Sequence, residues 1–334
     1  MYSITVEPEN GHGRAPIEII DSRGYPLFLD ARSINPSPQE RPFVLALFLF
    51  SLTLISTLAV GREFSLSYAQ NRPPFSGVDN PFIPTFQTLI HPRLLLGGIP
   101  FAFTLIGILL AHELGHYFTC RYYRISASYP YFLPAPTIIG TFGAFIRIRS
   151  PIVNRKALFD VGFSGPLVGF VLAVPVLAYG VHASKIVSGV QSSAFVIFGS
   201  PPLMKFFLAL FHPGVRPSNI LLSPIAVAAW VGLLVTAINL LPIGQLDGGH
   251  IVYSVATHYH RLISPLFGIG LLIVGIAYWH QWVVFAVLLL FLGFRHPPLI
   301  DPWTPLDGKR RAWAVVALLI FVLCFTPMPL SIPH

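Results

Sequence analysis

The sequence predicts an all-α polytopic membrane protein, with about six to seven transmembrane helices and a small membrane-associated β element between the second and third. Three observations carry that prediction. Of the 334 residues 54% are hydrophobic and only 10% are charged, and the mean hydropathy is +0.70, far from the usage of a soluble domain. Apolar runs recur that are long enough to cross a hydrocarbon core of about 30 Å as helices. The 21 Lys and Arg punctuate these runs and form no basic stripe interleaved with aromatics, so the formal charge of +8 points to membrane topology and not to a nucleic-acid partner.

Residues 1–42 are polar and contain Glu7, Glu9, Glu18, Asp21 and Asp30. They lack the short apolar stretch of a secretory signal and the acid-free composition of a transit peptide, so an uncleaved N-terminal segment is expected. Phe43–Gly61 is the first span, and an outer loop runs to residue 93. Residues 94–330 form the core, with clean spans at Leu94–Thr119, Ala157–Val181, Ile220–Leu241 and Ala312–Leu330. Leu262–Phe294 is too long for one upright span and is interrupted by Tyr278, Trp279, His280, Gln281 and Trp282, so it is one tilted span or a tight helical hairpin.

Short inner loops carry the excess of Lys and Arg. A hairpin places 15 of the 21 basic residues inside, whereas a single span divides them 11 to 10. The chain is therefore expected to cross seven times with its N-terminus inside. Between the second and third spans, "SYPYFLPAPTIIGTFGAFIRIRSP" is rich in Pro, Gly, aromatic and β-branched residues and ends in the alternation Ile146, Arg147, Ile148, Arg149. It reads as an extended or hairpin strand element at the interface, and non-helical backbone at that depth must be covered by protein or line a wet cavity.

The chemistry starts with "GILLAHELGHYFTC", where His112, Glu113 and His116 interrupt an apolar helix. An ionisable group at the centre of a span costs about 2.5–3.5 kcal/mol, so such groups are retained for function. On a helix His112 and His116 project from one face and can bind one Zn²⁺, while Glu113 lies beside the metal and can take a proton from water. Catalytic zinc keeps three protein ligands. Candidates for the third are Asp247, His250, Cys120, Asp160 and Asp301, and Asp247 is the best placed, because Pro242, Gly244, Gly248 and Gly249 let the chain leave helical geometry and aim one carboxylate sideways. His250, three residues on, could support the ligands or only face the inner interface. Cys120 lies one turn beyond His116 and is more simply a half-buried thiol; with Cys324 it gives no disulfide framework. Asn239 could donate a hydrogen bond to a substrate carbonyl or only bond a neighbouring helix. The small residues Gly162, Gly165 and Gly169 of "GFSGPLVG" allow close helix packing.

"HELGH" near the inner end of an early span, "NLLPIGQLDGG" some 120 residues later and the "GFSGPLVG" span between them together resemble the site-2 protease family of intramembrane zinc metalloproteases. "GTFGAFIRIRSPIVNRKALFDVGFSGP" and "PWTPLDGKRRA" further resemble its bacterial and plastid branch that lacks a PDZ domain. The resemblance covers residues 94–330 and implies one zinc ion held by His112, His116 and Asp247, Glu113 as general base and then acid, and Asn239 near the scissile peptide. It also implies that Phe142, Gly143 and Ala144 in "TFGAFIRI" belong to an embedded β element that holds the substrate as an added strand. The expected activity is hydrolysis of transmembrane segments of other proteins, in a bacterial inner membrane with the N-terminus cytoplasmic. Two other readings of the polar intramembrane residues are a metal-ion transporter and a catalytically silent scaffold that binds client helices.

Overall fold

The computed structural model describes residues 42–76, 91–190, 197–293, 296–297 and 299–331, together with three short strands before residue 30. Most of the N-terminal segment 1–42, part of the first outer loop, Phe294 and Arg295 lie outside the described residues. The three early strands, β1 (Ile4–Thr5), β2 (Ile17–Ile20) and β3 (Pro26–Leu29), pair antiparallel in the order β1-β2-β3.

The helices follow from the apolar runs, and their ends follow from Pro and from capping side chains. Helix α1 spans Pro42–Ala69 and α2 spans Ile99–Tyr122, entered through a 3-10 turn at Pro92–Gly98. Helix α3 (Arg155–His182) starts where the Asn154 side chain accepts from the Ala157 N–H, so one orphan donor of the first turn is satisfied. Helix α4 (Pro202–Phe211) is short. Ser223 caps α5 (Pro224–Asn239) in the same manner as Asn154, and α6 follows at Asp247–Val255. Helices α7 (His260–Ala277) and α8 (Gln281–Leu292) are joined by a three-residue turn. Asp307 caps α9 (Gly308–Cys324).

Among the described residues, four helices are long and apolar enough to cross a membrane: those within Phe43–Ala69, Arg93–Tyr122, Arg155–His182 and His260–Ala277. Two expected spans are shorter as helices. Ile220–Leu241 contributes only α5, because Ser223-Pro224 sets the helix start and Ile220–Leu221 pairs instead with Lys185–Ile186. Ala312–Leu330 becomes α9, which ends at Cys324 ahead of Pro327 and Pro329, while Leu330–Ser331 pairs with Ile197–Phe198. Leu262–Leu292 is a helical hairpin, with Trp282 buried at the turn and its Nε1 donating to the Pro327 carbonyl.

Helices α2, α3 and α5 form the centre. Ile108 of α2 packs on Gly232 of α5, and four residues further His112 stands beside Asn239, so the two helices run in the same direction. Trp230, Leu233 and Ala237 of α5 are buried, as are Leu105 and Ile108 of α2 and Leu158 and Leu177 of α3. At about 1.5–3 kcal/mol per buried large apolar side chain relative to water, such packing offsets the cost of ordering when the reference is aqueous, and against lipid it acts through close contact. Between α2 and α3 the chain forms a β hairpin, β4 (Tyr131–Pro134) with β5 (Thr141–Phe145). The alternation Ile146–Arg149 lies just past the hairpin and makes only a single bridge, from Ile148 to Ala127. The hairpin leans on α1, where Ser56 donates to the Gly140 carbonyl at 2.6 Å and Phe132 meets Phe50 edge to face.

Candidate metal centre

His112 and His116 lie in the second half of α2, one turn apart and on its buried face. Asp247 arrives from the first position of α6. Helix α5 stops at Asn239, and the chain then turns through Leu240 to Leu246 with Gly244 at φ 54°, which only a residue without a Cβ adopts at little cost. Ser264 of α7 fixes the turn by accepting from the Gly244 N–H at 2.8 Å. Gly248 closes it, since a Cβ there would meet the Leu240 carbonyl oxygen at 2.0 Å.

The three donor atoms form a small triangle. His112 Nε2 is 3.2 Å from Asp247 Oδ2 and 3.1 Å from His116 Nε2, and His116 Nε2 is 3.3 Å from Asp247 Oδ2. A tetrahedral centre with bonds of about 2.0–2.1 Å needs donor-to-donor edges of about 3.3–3.4 Å, so two imidazoles and a carboxylate fit a zinc-type ion closely. Among the described residues this is the one group of three or more His, Cys, Asp or Glu with donor atoms so close. His116 Nδ1–H donates to the Val161 carbonyl at 2.6 Å, which orients the ring and turns Nε2 to the centre.

The stripe in α3 has a role that spacing could not reveal. A Cβ on Gly165 would lie 2.1 Å from His116 Nε2, one on Gly169 3.2 Å from His112 Cβ, and one on Gly162 2.7 Å from His250 Cβ. The glycines admit the site's imidazoles against the α3 backbone. The sequence shows a small-residue face; which side chains fill it is visible only in the fold.

Glu113 is buried beside the ligands and lines a cavity of about 190 Å³ with them. The Ile146 N–H, just beyond β5, is directed at its carboxylate. Asn239 lines the same cavity, its Nδ2 3.3 Å from His112 Nε2. Ala144 lines it too, whereas Phe142 is 71% exposed and neither it nor Gly143 reaches the cavity wall. Gln245, unremarked in the sequence, is part of the lining. His250 also borders the cavity, and its Nδ1 is 2.7 Å from Nε2 of His296, a partner 46 residues away with no motif to announce it.

The remaining candidates Cys120, Asp160 and Asp301 do not join the triangle. Cys120 is a buried free thiol. Asp160 receives Arg310 and Tyr123. Asp301 accepts from the N–H groups of Trp303 and Thr304.

A buried His-Glu-x-x-His helix, completed by an aspartate from a broken helix inside a set of apolar helices, defines an integral membrane protein built around a metal centre. The model of peptidase family M50 matches residues 100–279, and the chain belongs to that family, in agreement with the site-2 protease resemblance. It is similar to "Probable zinc metalloprotease EGY1, chloroplastic" of Arabidopsis thaliana, with 30% identity over 300 residues, covering 86% of this chain and 53% of the relative. It is also similar to "Probable zinc metalloprotease EGY2, chloroplastic" of Arabidopsis thaliana, at 28% over 325 residues, or 93% and 54%. The EGY1 protein of Oryza sativa subsp. japonica matches at 27% over 315 residues, or 86% and 50%. The chain thus spans about half the length of these curated relatives.

Proposed function

We propose that this chain is a zinc-dependent intramembrane endopeptidase that cleaves transmembrane segments of other membrane proteins. The observation that carries the reading is the triangle of His112, His116 and Asp247 with Glu113 beside it in one cavity. Family membership and relatives named as zinc metalloproteases support it.

When bound, zinc supplies a Lewis acid and brings the pKa of its water toward about 7. Glu113 takes the proton of the attacking water and later gives it to the leaving amine. The Asn239 amide donates to the carbonyl oxygen as charge develops on it. A helical substrate must unwind first, because its amides are satisfied and its carbonyls shielded. The unwound segment then lies along β5, whose Ala144 reaches the cavity, with Phe142 and Gly143 on the edge that receives it.

The arrangement in the bilayer belongs to the same proposal. Seven crossings, with α7 and α8 as separate arms, put the metal end of the molecule inside with the N-terminus, where Arg121, Arg124, Arg147, Arg149 and Arg261 lie. Residues 1–42 form a cytoplasmic segment, 43–93 the first span and outer loop, and 94–330 the protease core. A bacterial inner membrane is the proposed location; the relatives are chloroplastic by name.

The test is purified protein incubated with a model transmembrane substrate in lipid. Wild type is expected to cleave it, Glu113→Gln to retain zinc and lose at least about 100-fold in rate, and Asp247→Ala to lose zinc. Cleavage by Glu113→Gln at the wild-type rate would leave a scaffold or transporter reading in its place.

A further inference from the structure

Helices α7 and α9 splay apart on the side of the metal-bearing turn that faces away from the catalytic cavity. The gap is a cavity of about 290 Å³ with almost purely apolar walls, Ile263 and Phe267 on α7 and Ala314, Leu318 and Phe321 on α9. Phe267 is 43% exposed and Leu318 59%, so the gap opens sideways into the hydrocarbon that surrounds α7. Its floor is Leu240, Pro242 and Gly248, the back of the turn that carries Asn239 and Asp247.

The inner end of this groove is basic. Arg311 lies one helical turn before Ala314 on the same face of α9 and is exposed, with exposed Lys309 beside it. Arg155 caps the last carbonyls of α6, donating to Ser254 and Val255, and its charge is close enough to that of Arg311 for the two to repel. Among the described residues no carboxylate pairs with Arg311, Lys309 or Arg155. Exposed Trp313, Trp303 and Tyr259 stand at this same end, as side chains at headgroup level do.

We propose that the groove between α7 and α9 binds one anionic glycerolipid, its phosphate-type headgroup on Arg311 and Arg155 and an acyl chain against the back of the 240–248 turn. An apolar slot below two guanidiniums that no carboxylate neutralises fits a negative headgroup joined to an alkyl chain; a zwitterionic lipid adds a cation of its own beside them, and an apolar polypeptide helix brings no anion. The lipid braces the turn that aims Asp247, from the side opposite the chemistry.

The test is full-length protein reconstituted in phosphatidylcholine vesicles containing a minority of phosphatidylglycerol, extracted gently and weighed intact by mass spectrometry, with zinc content as the check on folding. Wild type is expected to retain one phosphatidylglycerol in preference to phosphatidylcholine. Arg311→Gln should cut that preference by about fivefold, the factor one basic residue contributes toward an anionic lipid, and Ala314→Phe, which fills the slot, should abolish retention. No preference in wild type, or a preference unchanged in Arg311→Gln, overturns the proposal. So does a photocrosslinker at Leu318 that captures polypeptide and no lipid, since the groove would then be a substrate path. Lipid retention is read without activity, so its failure is distinct from failure of the protease reading.

Discussion

At the scale of single residues, the metal centre depends on what is missing from α3 as much as on what α2 presents. The His116 ring occupies the space that a methyl group on Gly165 would take, and that ring cannot swing away because Nδ1–H is held by the Val161 carbonyl. Gly165→Ala is therefore expected to weaken zinc binding by about 10–100-fold, the range seen when the support of a ligand is disturbed. Chelator competition measures it, and a retained far-ultraviolet helix signal separates it from unfolding. Gly169→Ala, whose added methyl meets His112 Cβ at the looser 3.2 Å, should cost less. His112, Glu113 and His116 were legible as one motif because spacing of four places two side chains on one helical face whatever surrounds it. His296 was not, since nothing in the chain between it and His250 records that they meet.

At the scale of elements, one polar clamp ties together three helices at the metal end of the molecule. Arg310 of α9 reaches Asp160 of α3 with two bonds, Nε to Oδ1 at 2.8 Å and Nη2 to Oδ2 at 2.5 Å, and also contacts Asp307. Tyr123, at the end of α2, donates to the same Asp160 carboxylate at 2.5 Å. Burial first, and then that bond, push the Tyr123 phenol up to about 12, so it stays a neutral donor at physiological pH. The guanidinium fork is what allows the two-point contact, and a lysine ammonium has no such fork. Because the pair is partly exposed, Arg310→Lys is expected to cost only about 1 kcal/mol. This would appear as a lowered thermal midpoint in detergent with zinc content unchanged. The β hairpin is a second element whose position matters. Its buried Thr141 hydroxyl donates to the Leu133 carbonyl at 2.8 Å and accepts from the Gly143 N–H at 2.9 Å. Thr141→Val leaves that N–H and carbonyl short of partners, and is expected to destabilise the hairpin by about 1–3 kcal/mol. Faster amide exchange at residues 131–145 would report it. The sequence indicated extended structure here from β-branched and aromatic residues, but it placed the regular alternation in 146–149, beyond the actual strand, because the pairing partner decides where a strand ends.

At the scale of the whole molecule, the metal is expected to couple α2, α5 and α6. Its removal by chelation should lower the thermal midpoint and abolish hydrolysis, and added zinc should restore both. Single cysteines introduced at Thr257 and Ser331 should be reached by impermeant reagent only from opposite faces of the membrane, since these positions lie at the metal end and the far end respectively; labelling of both from one face would remove the seven-crossing reading. By itself the sequence determined that the chain enters a bilayer, that helices dominate, and that a metal motif sits in α2, because hydropathy, run length and four-residue spacing are local properties. The tertiary structure decided the rest. It brought Asp247 to within 3.3 Å of both histidines, made Gly162, Gly165 and Gly169 the seats of three imidazoles, and turned Asp160 and Asp301 to other partners. Most of those outcomes depend on which helix packs on which, and that is settled by contacts between residues about 50 to 150 positions apart.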